Sequence, residues 1–215
     1  MKIRVFLILL SITLVNCKNE QTELDYKFSE KETFLKCDIE NKKLFEEALY
    51  NFEDVITKGY PSSNDNLMYS YRQFTKESTR NMVSFHKIAT PHSIDVFEAL
   101  KNVDGLWYVN DANEYSLNYK HKIFDCIANN IVDNDLKTTF SALLNTNSMS
   151  YRMLKDLLLT YSNRMNSDKH LAMYVALELY YAKLNNVDPT KEDNSVEENI
   201  KQNTKVDPHA GHNHD

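Results

Sequence analysis

The chain ends in Asp207-Pro208-His209-Ala210-Gly211-His212-Asn213-His214-Asp215, three histidines flanked by carboxylates. Neutral imidazoles at this H-x-x-H-x-H spacing can wrap a borderline metal such as Zn, Ni or Cu. Ordering a flexible tail costs about 1–2 kcal/mol per residue fixed, so a site of this kind is weak and unselective. The alternative is a polar tail that is merely rich in histidine. A second constellation lies further inside the chain, where His170, Tyr174 and Glu178 fall at i, i+4 and i+8, on one face of a helix. Glu178 is the only charge between Lys169 and Lys183. A buried carboxylate has to be paired, protonated or bound to a cation. The set therefore reads either as a buried polar site for a ligand or metal, or as a structural arrangement. In the structural one, Glu178 pairs with Arg152 or Arg164 and His170 caps the helix start in solvent.

The remaining titratable groups point to less. His86 and His92 flank Thr90-Pro91 and could converge across a turn, but no Cys or carboxylate stands at ligand spacing with them. Nothing marks a nucleophile for a Ser-His-Asp or Cys-His set. Gly59, Gly105 and Gly211 are the only glycines, too few and too scattered for G-x-G-x-x-G, a P-loop or G-x-S-x-G. The common nucleotide enzymes and α/β-hydrolases are excluded on that ground, and no catalytic residue is assigned.

The N-terminus carries an address. Lys2 and Arg4 precede an apolar run from Val5 to Val15, a signal-peptide h-region that falls short of the roughly 18–20 residues of a spanning helix. The run ends in Leu14-Val15-Asn16-Cys17, which resembles the lipobox of bacterial lipoproteins, with Asn16 where that family has Gly, Ala or Ser. The resemblance covers about the first twenty residues. It implies cleavage before Cys17, a diacylglyceryl group on its thiol, and anchorage to a membrane of the cell envelope. Lys18 occupies the place of the Asp that retains many lipoproteins at the inner membrane, which favours the outer membrane. Lys18-Asn19-Glu20 resembles the surface-export signals of Bacteroidota lipoproteins, so a surface-exposed position fits as well. Assigning Cys17 to the lipid leaves Cys37 and Cys126. In an oxidising envelope this pair reads as a disulfide, with two reduced, buried thiols as the alternative.

Charge narrows the partners. The chain has 25 basic and 31 acidic residues, and losing Lys2 and Arg4 with the signal peptide deepens the acidic excess. Nucleic acid is a poor partner for such a surface. The expected partners are the membrane, through the lipid anchor, and an envelope protein or a small ligand.

Helical periodicity dominates the elements that would position these groups. Leu44, Phe45, Ala48, Leu49, Phe52, Val55 and Ile56 form one stripe, with Gly59 and Pro61 ending it. Ser29 and Glu32 stand at capping-box spacing and suggest a helix from near Glu30. Ser62 to Asp65 supply caps for a helix whose stripe runs Leu67, Tyr71, Phe74, Ser78, Met82, Phe85. Thr90-Pro91 opens another, closed by Gly105. Leu106 to Tyr115 reads as an ordered loop pinned by aromatics. Helices resume near Ser116, after Asp135, and over about Met149 to Met165. The last, from Ser167 or Asp168 to Asn185, is apolar on nearly every side and belongs at the centre of a bundle.

The fold class expected is all-α: an irregular bundle of about seven helices followed by a disordered, His-containing tail. The divisions are a signal peptide over 1–16, a lipidated tether over 17–23, a helical domain over 24–187 and the tail over 188–215. The function expected is that of an envelope lipoprotein whose domain is a non-enzymatic binding or interaction module. A metal-handling lipoprotein using the terminal histidines is the alternative, and an enzyme of unknown reaction comes third.

Overall fold

A computed structural model describes residues 24–64 and 66–191. The segments expected to be the signal peptide (1–16) and the lipidated tether (17–23, with Cys17), and His209, His212 and His214, lie outside the described residues. The fold is all-α. Among the described residues eight α-helices run in the order α1 (Lys42–Gly59), α2 (Leu67–Ser78), α3 (Phe85–Ile88), α4 (Pro91–Lys101), α5 (Lys122–Asn130), α6 (Asn134–Asn145), α7 (Tyr151–Tyr161) and α8 (Lys169–Val175). A two-stranded hairpin, β1 (Trp107–Val109) and β2 (Tyr115–Leu117), sits between α4 and α5. No helix among the described residues is long and apolar enough to cross a membrane.

Helix α1 follows the stripe read from the sequence, and Leu44, Phe45, Ala48, Leu49, Phe52, Val55 and Ile56 are buried. It packs on α2, α3, α4 and α8. Its last residue is glycine for a packing reason: a Cβ on Gly59 would stand 2.9 Å from Cγ2 of Ile88 in α3. Helix α4 begins as expected. Thr90 caps it by accepting from the Ser93 N–H at 3.1 Å, and the Ser93 hydroxyl accepts in return from the Thr90 N–H. Its end differs, because the helix stops at Lys101 and Gly105 lies in the turn beyond, at φ 68°.

Three expectations are corrected. The segment around Glu30 to Asn41 is not helical; it and the residues just before it lie against α1, whose carboxylates accept from three of their backbone N–H groups. The N–H groups of Lys27 and Phe28 donate to Glu47 at 2.8 and 3.0 Å, that of Leu35 donates to Glu46 at 3.2 Å, and the Tyr50 hydroxyl donates to the Glu32 carbonyl. The stripe from Leu67 to Phe85 is not one helix. Asn81 takes φ 55°, and Met82 N–H on Glu77 O with Asn81 N–H on Ser78 O closes a Schellman turn. Met82 is left exposed and α3 starts in a new direction. The aromatic loop is a hairpin, paired Trp107↔Leu117, Tyr108↔Ser116 and Val109↔Tyr115, so helix resumes only at Lys122. Phe97, Trp107 and Tyr115 meet edge to face with ring centres 5.4–6.0 Å apart, and Trp107 Nε1 donates to Leu100 O.

The shortage of glycine is made up by asparagine. Asn41, Asn81, Asn113, Asn147 and Asn186 all stand at positive φ, where a short amide side chain tolerates the left-handed region better than other L residues. Asn147 ends α6 with the same pair of backbone bonds that Asn81 uses to end α2.

Cys37 and Cys126 are joined by a disulfide with Cα atoms 5.9 Å apart, tying the segment before α1 to α5. Behind them α8 occupies the middle of the molecule, packed on α1 and α5, and every residue from His170 to Leu177 is buried.

Candidate functional site

Asp168 fixes the start of α8 from both carboxylate oxygens. Oδ1 accepts from the Leu171 N–H at 3.0 Å, and Oδ2 accepts from the Val132 N–H at 2.8 Å. Seven residues on, the helix widens into a π turn over Ala176–Tyr180 and then tightens into a 3-10 turn, Tyr181–Lys183. The Tyr181 N–H is shared between the carbonyls of Ala176 and Leu177. Single π turns inside helices frequently mark functional sites.

On one side it anchors two consecutive tyrosines to α1 and α4. Tyr180 donates to Ser93 Oγ at 2.8 Å, Ser93 donates to Asn51 Oδ1 at 3.0 Å, and Tyr181 donates to both Asn51 Oδ1 and Ala48 O. All four side chains are buried, and the group is internally satisfied. Burial lifts both phenols well above their ordinary value.

On the other side it presents Glu178. One carboxylate oxygen, Oε2, accepts from the Tyr119 hydroxyl at 2.8 Å. Burial raises the carboxyl above its usual range, against the opposing pull of that hydrogen bond and of Lys183. The same burial and the nearby carboxylate push Tyr119 and Tyr174 far up, and Tyr151 moves in the same direction for the same two reasons. The hydroxyls of Tyr151 and Ser78 are buried without a hydrogen-bond partner, whereas that of Tyr174 lies against the Tyr119 hydroxyl. Leaving such a group unpaired costs roughly 1–3 kcal/mol. Two beside one carboxylate therefore stand out.

A pocket of about 240 Å³ opens here. Its polar wall comes from Ser78 and Asn81 at the end of α2, Tyr151 at the start of α7, and Glu178 and Lys183. Its apolar wall is Val83, Phe85 and Leu179. A larger cleft, about 670 Å³, lies between Asp38–Glu40 and Asp104–Lys122, but it is a polar surface groove that no unpartnered buried atom lines. The smaller pocket is the candidate site. No family model, curated protein or solved structure matches the chain.

The structure therefore divides the face read from the sequence. Tyr174 and Glu178 belong together, electrostatically coupled and joined by Tyr119, Tyr151, Ser78 and Lys183, none of which the sequence reading singled out. His170 does not belong with them. It is buried against the edge of Phe34, ring centres 5.7 Å apart, with Nε2 unpartnered, and Asp168 rather than His170 caps the helix. Nor does Glu178 pair with Arg152 or Arg164: among the described residues neither arginine forms an ion pair with it, and Arg164 pairs with Asp133. His86 and His92 do not converge. His86 Nδ1 lies 3.1 Å from the Asp188 carbonyl, and His92 Nε2 lies 2.7 Å from Glu47 Oε1 in the interior. Among the described residues no group of three or more His, Cys, Asp or Glu side chains is arranged to hold a metal ion.

Two histidines give the fold a pH dependence. His121 Nδ1 caps α5 by accepting from the Ile123 N–H, which an imidazolium cannot do. Burial lowers its pKa, with Asp104 and Glu40 opposing and Lys122 reinforcing. Burial also lowers that of His170, which faces Asp168 and Lys36. Both fall below the ordinary value of about 6.5, so as pH drops the unfolded chain takes up these protons first. Their contribution is complete above about pH 6.5 and is lost as pH falls through the lowered values. The urea midpoint is expected to be lower at about pH 5 than at about pH 7.5, and His170→Leu to reduce that difference. A variant with the same pH dependence as the parent would refute the assignment.

Proposed function

We propose that this chain is a lipid-anchored protein of the bacterial envelope whose helical domain binds a small ligand, without transforming it, in the pocket beside the π turn. The observation that carries the reading is the convergence of a half-buried carboxylate with unpartnered hydroxyls on a pocket walled on one side by apolar groups. That is the make-up of a ligand site: mostly preformed, partly apolar, with a few placed polar groups. Binding is favoured over catalysis because no imidazole or thiol lines the pocket, and Ser78 Oγ has no base bonded to it that would activate it. The envelope location draws support from the lipobox-like Leu14 to Cys17 and from the Cys37–Cys126 bridge, since disulfides persist in oxidising compartments.

The anchor is tested by metabolic labelling with a fatty acid, which should mark the parent and not Cys17→Ser. The pocket is tested by stability. The raised pKa of Glu178 means that its charged form is disfavoured in the fold, so its contribution to stability falls as pH rises above the ordinary carboxyl range. Glu178→Gln keeps the shape and an acceptor for Tyr119 and removes the charge. It should raise stability near pH 7.5 by roughly 0.5–2 kcal/mol, the gain typical where function has been held at a cost in stability. A loss of that size in urea unfolding would instead show that the carboxylate is structural.

A further inference from the structure

The pocket carries two opposite charges that feel each other but do not meet in a contact ion pair. Glu178 and Lys183 both line it, yet neither forms an ion pair among the described residues. Glu178 uses Oε2 for the Tyr119 hydroxyl and leaves Oε1 without a hydrogen bond. Lys183 stands exposed at the rim, one 3-10 turn past the widened segment. A simple cation drawn to Glu178 would meet Lys183, and a simple anion drawn to Lys183 would meet Glu178. A neutral molecule carrying both charges satisfies both walls.

The neutral groups fit the same molecule. An ammonium has three donors and a carboxylate about four acceptor sites, more than one Glu and one Lys can serve. Ser78 and Tyr151 contribute hydroxyls that are otherwise unpartnered, and Asn81 an amide. Val83, Phe85 and Leu179 leave an apolar surface for an uncharged side chain. At about 240 Å³ the pocket is smaller than the roughly 300–1,000 Å³ of sites for drug-sized ligands, which limits it to a small metabolite.

We infer that the pocket takes a small zwitterion, an α-amino acid with an apolar side chain, its ammonium against Glu178 and its carboxylate toward Lys183. This rests on the reading of the pocket as a binding site and adds the chemical class of the ligand.

Calorimetric titration of the mature full chain tests it with three probes of similar shape: L-leucine, 4-methylpentanoate, which lacks the ammonium, and isoamylamine, which lacks the carboxylate. Leucine is expected to bind, and each single-charge analogue to bind roughly 10- to 100-fold more weakly, the cost of one charged hydrogen-bonding partner. Glu178→Gln should weaken leucine by a similar factor. Lys183→Ala, an exposed position that leaves the core intact, should do the same and serves if Glu178→Gln fails to fold. Equal binding of all three probes overturns the zwitterion and leaves the pocket standing. So does the absence of leucine binding when another small molecule binds in a Glu178-dependent way. Leucine binding that neither substitution weakens overturns the placement. If no small molecule binds in a wider screen, this inference and the proposed function fail together.

Discussion

Replacing Glu47 by alanine should cost the fold roughly 3–5 kcal/mol, the penalty for removing one partner of a buried polar cluster and leaving the rest unmet. Glu47 is 2% exposed. Its two oxygens serve three groups: Oε1 meets His92 Nε2 at 2.7 Å and the Lys27 N–H at 2.8 Å, and Oε2 accepts the Phe28 N–H at 3.0 Å. Alanine strands all three. Because no helix forms before α1, these bonds are what satisfies the backbone at Lys27 and Phe28, so the segment should detach as well as the core weaken. At about 2–4 °C per kcal/mol for a domain of this size, the melting temperature should drop by on the order of 10 °C. Tryptic cleavage at Lys27 should accelerate. Glu46→Ala is the control, since Glu46 is less buried and serves one N–H, that of Leu35, worth about 1 kcal/mol. Equal losses for the two variants would show that the segment is held by something other than the Glu47 cluster.

The same residues mark where sequence reading succeeds and where it stops. Helix α1 and the start of α4 are legible because their determinants are local: a 3.6-residue stripe, and a Thr-Pro cap with Ser93 in reach. The break between α2 and α3 is hidden because the apolar period continues through Met82, while the turn is made by Asn81, a residue without the stop value of glycine. The hairpin is hidden by length. Two strands of three residues offer too little alternation, and only Phe97, from α4, shows which side of Trp107 and Tyr115 is inside. Glu178 was legible as a lone charge in an apolar helix. Its surroundings were not, because Tyr119, Tyr151 and Ser78 arrive from three distant elements. Grouping His170 with it failed for a geometric reason: eight residues cover about 12 Å of helix, so a shared face is not a shared site. The π turn changes the register between them, which no period analysis reports.

That turn also links the pocket to the core. Tyr180, the last residue of the turn, and Tyr181 just after it are locked by Ser93, Asn51 and Ala48 on one side, and Glu178 is presented from the turn on the other. The satisfied network is what can hold an unsatisfied one in place, since a rigid backbone turn keeps Glu178 from swinging out to water.

Reducing the Cys37–Cys126 disulfide should lower stability by roughly 3 to 4.5 kcal/mol, with the native fold retained. The bridge spans 89 residues of sequence, and closing a loop of that length removes much of the freedom of the unfolded chain. Two further results separate this origin from damage to the core. The unfolded chain expands once released, so the dependence of unfolding free energy on urea should steepen as well as its midpoint fall. Cys37→Ser with Cys126→Ser should match the reduced parent to within the small packing term of Cys126, which is buried, whereas Cys37 is half-exposed. Far-ultraviolet circular dichroism should be unchanged below the transition, because Cys37 lies in no helix and the helices on either side of the bridge keep their own contacts: α5 with α6 and α8, and α1 with α4. If reduction instead abolished the helical signal in the absence of denaturant, the bridge would be a condition of folding, and the segment before α1 would have no other hold strong enough to keep it on the bundle.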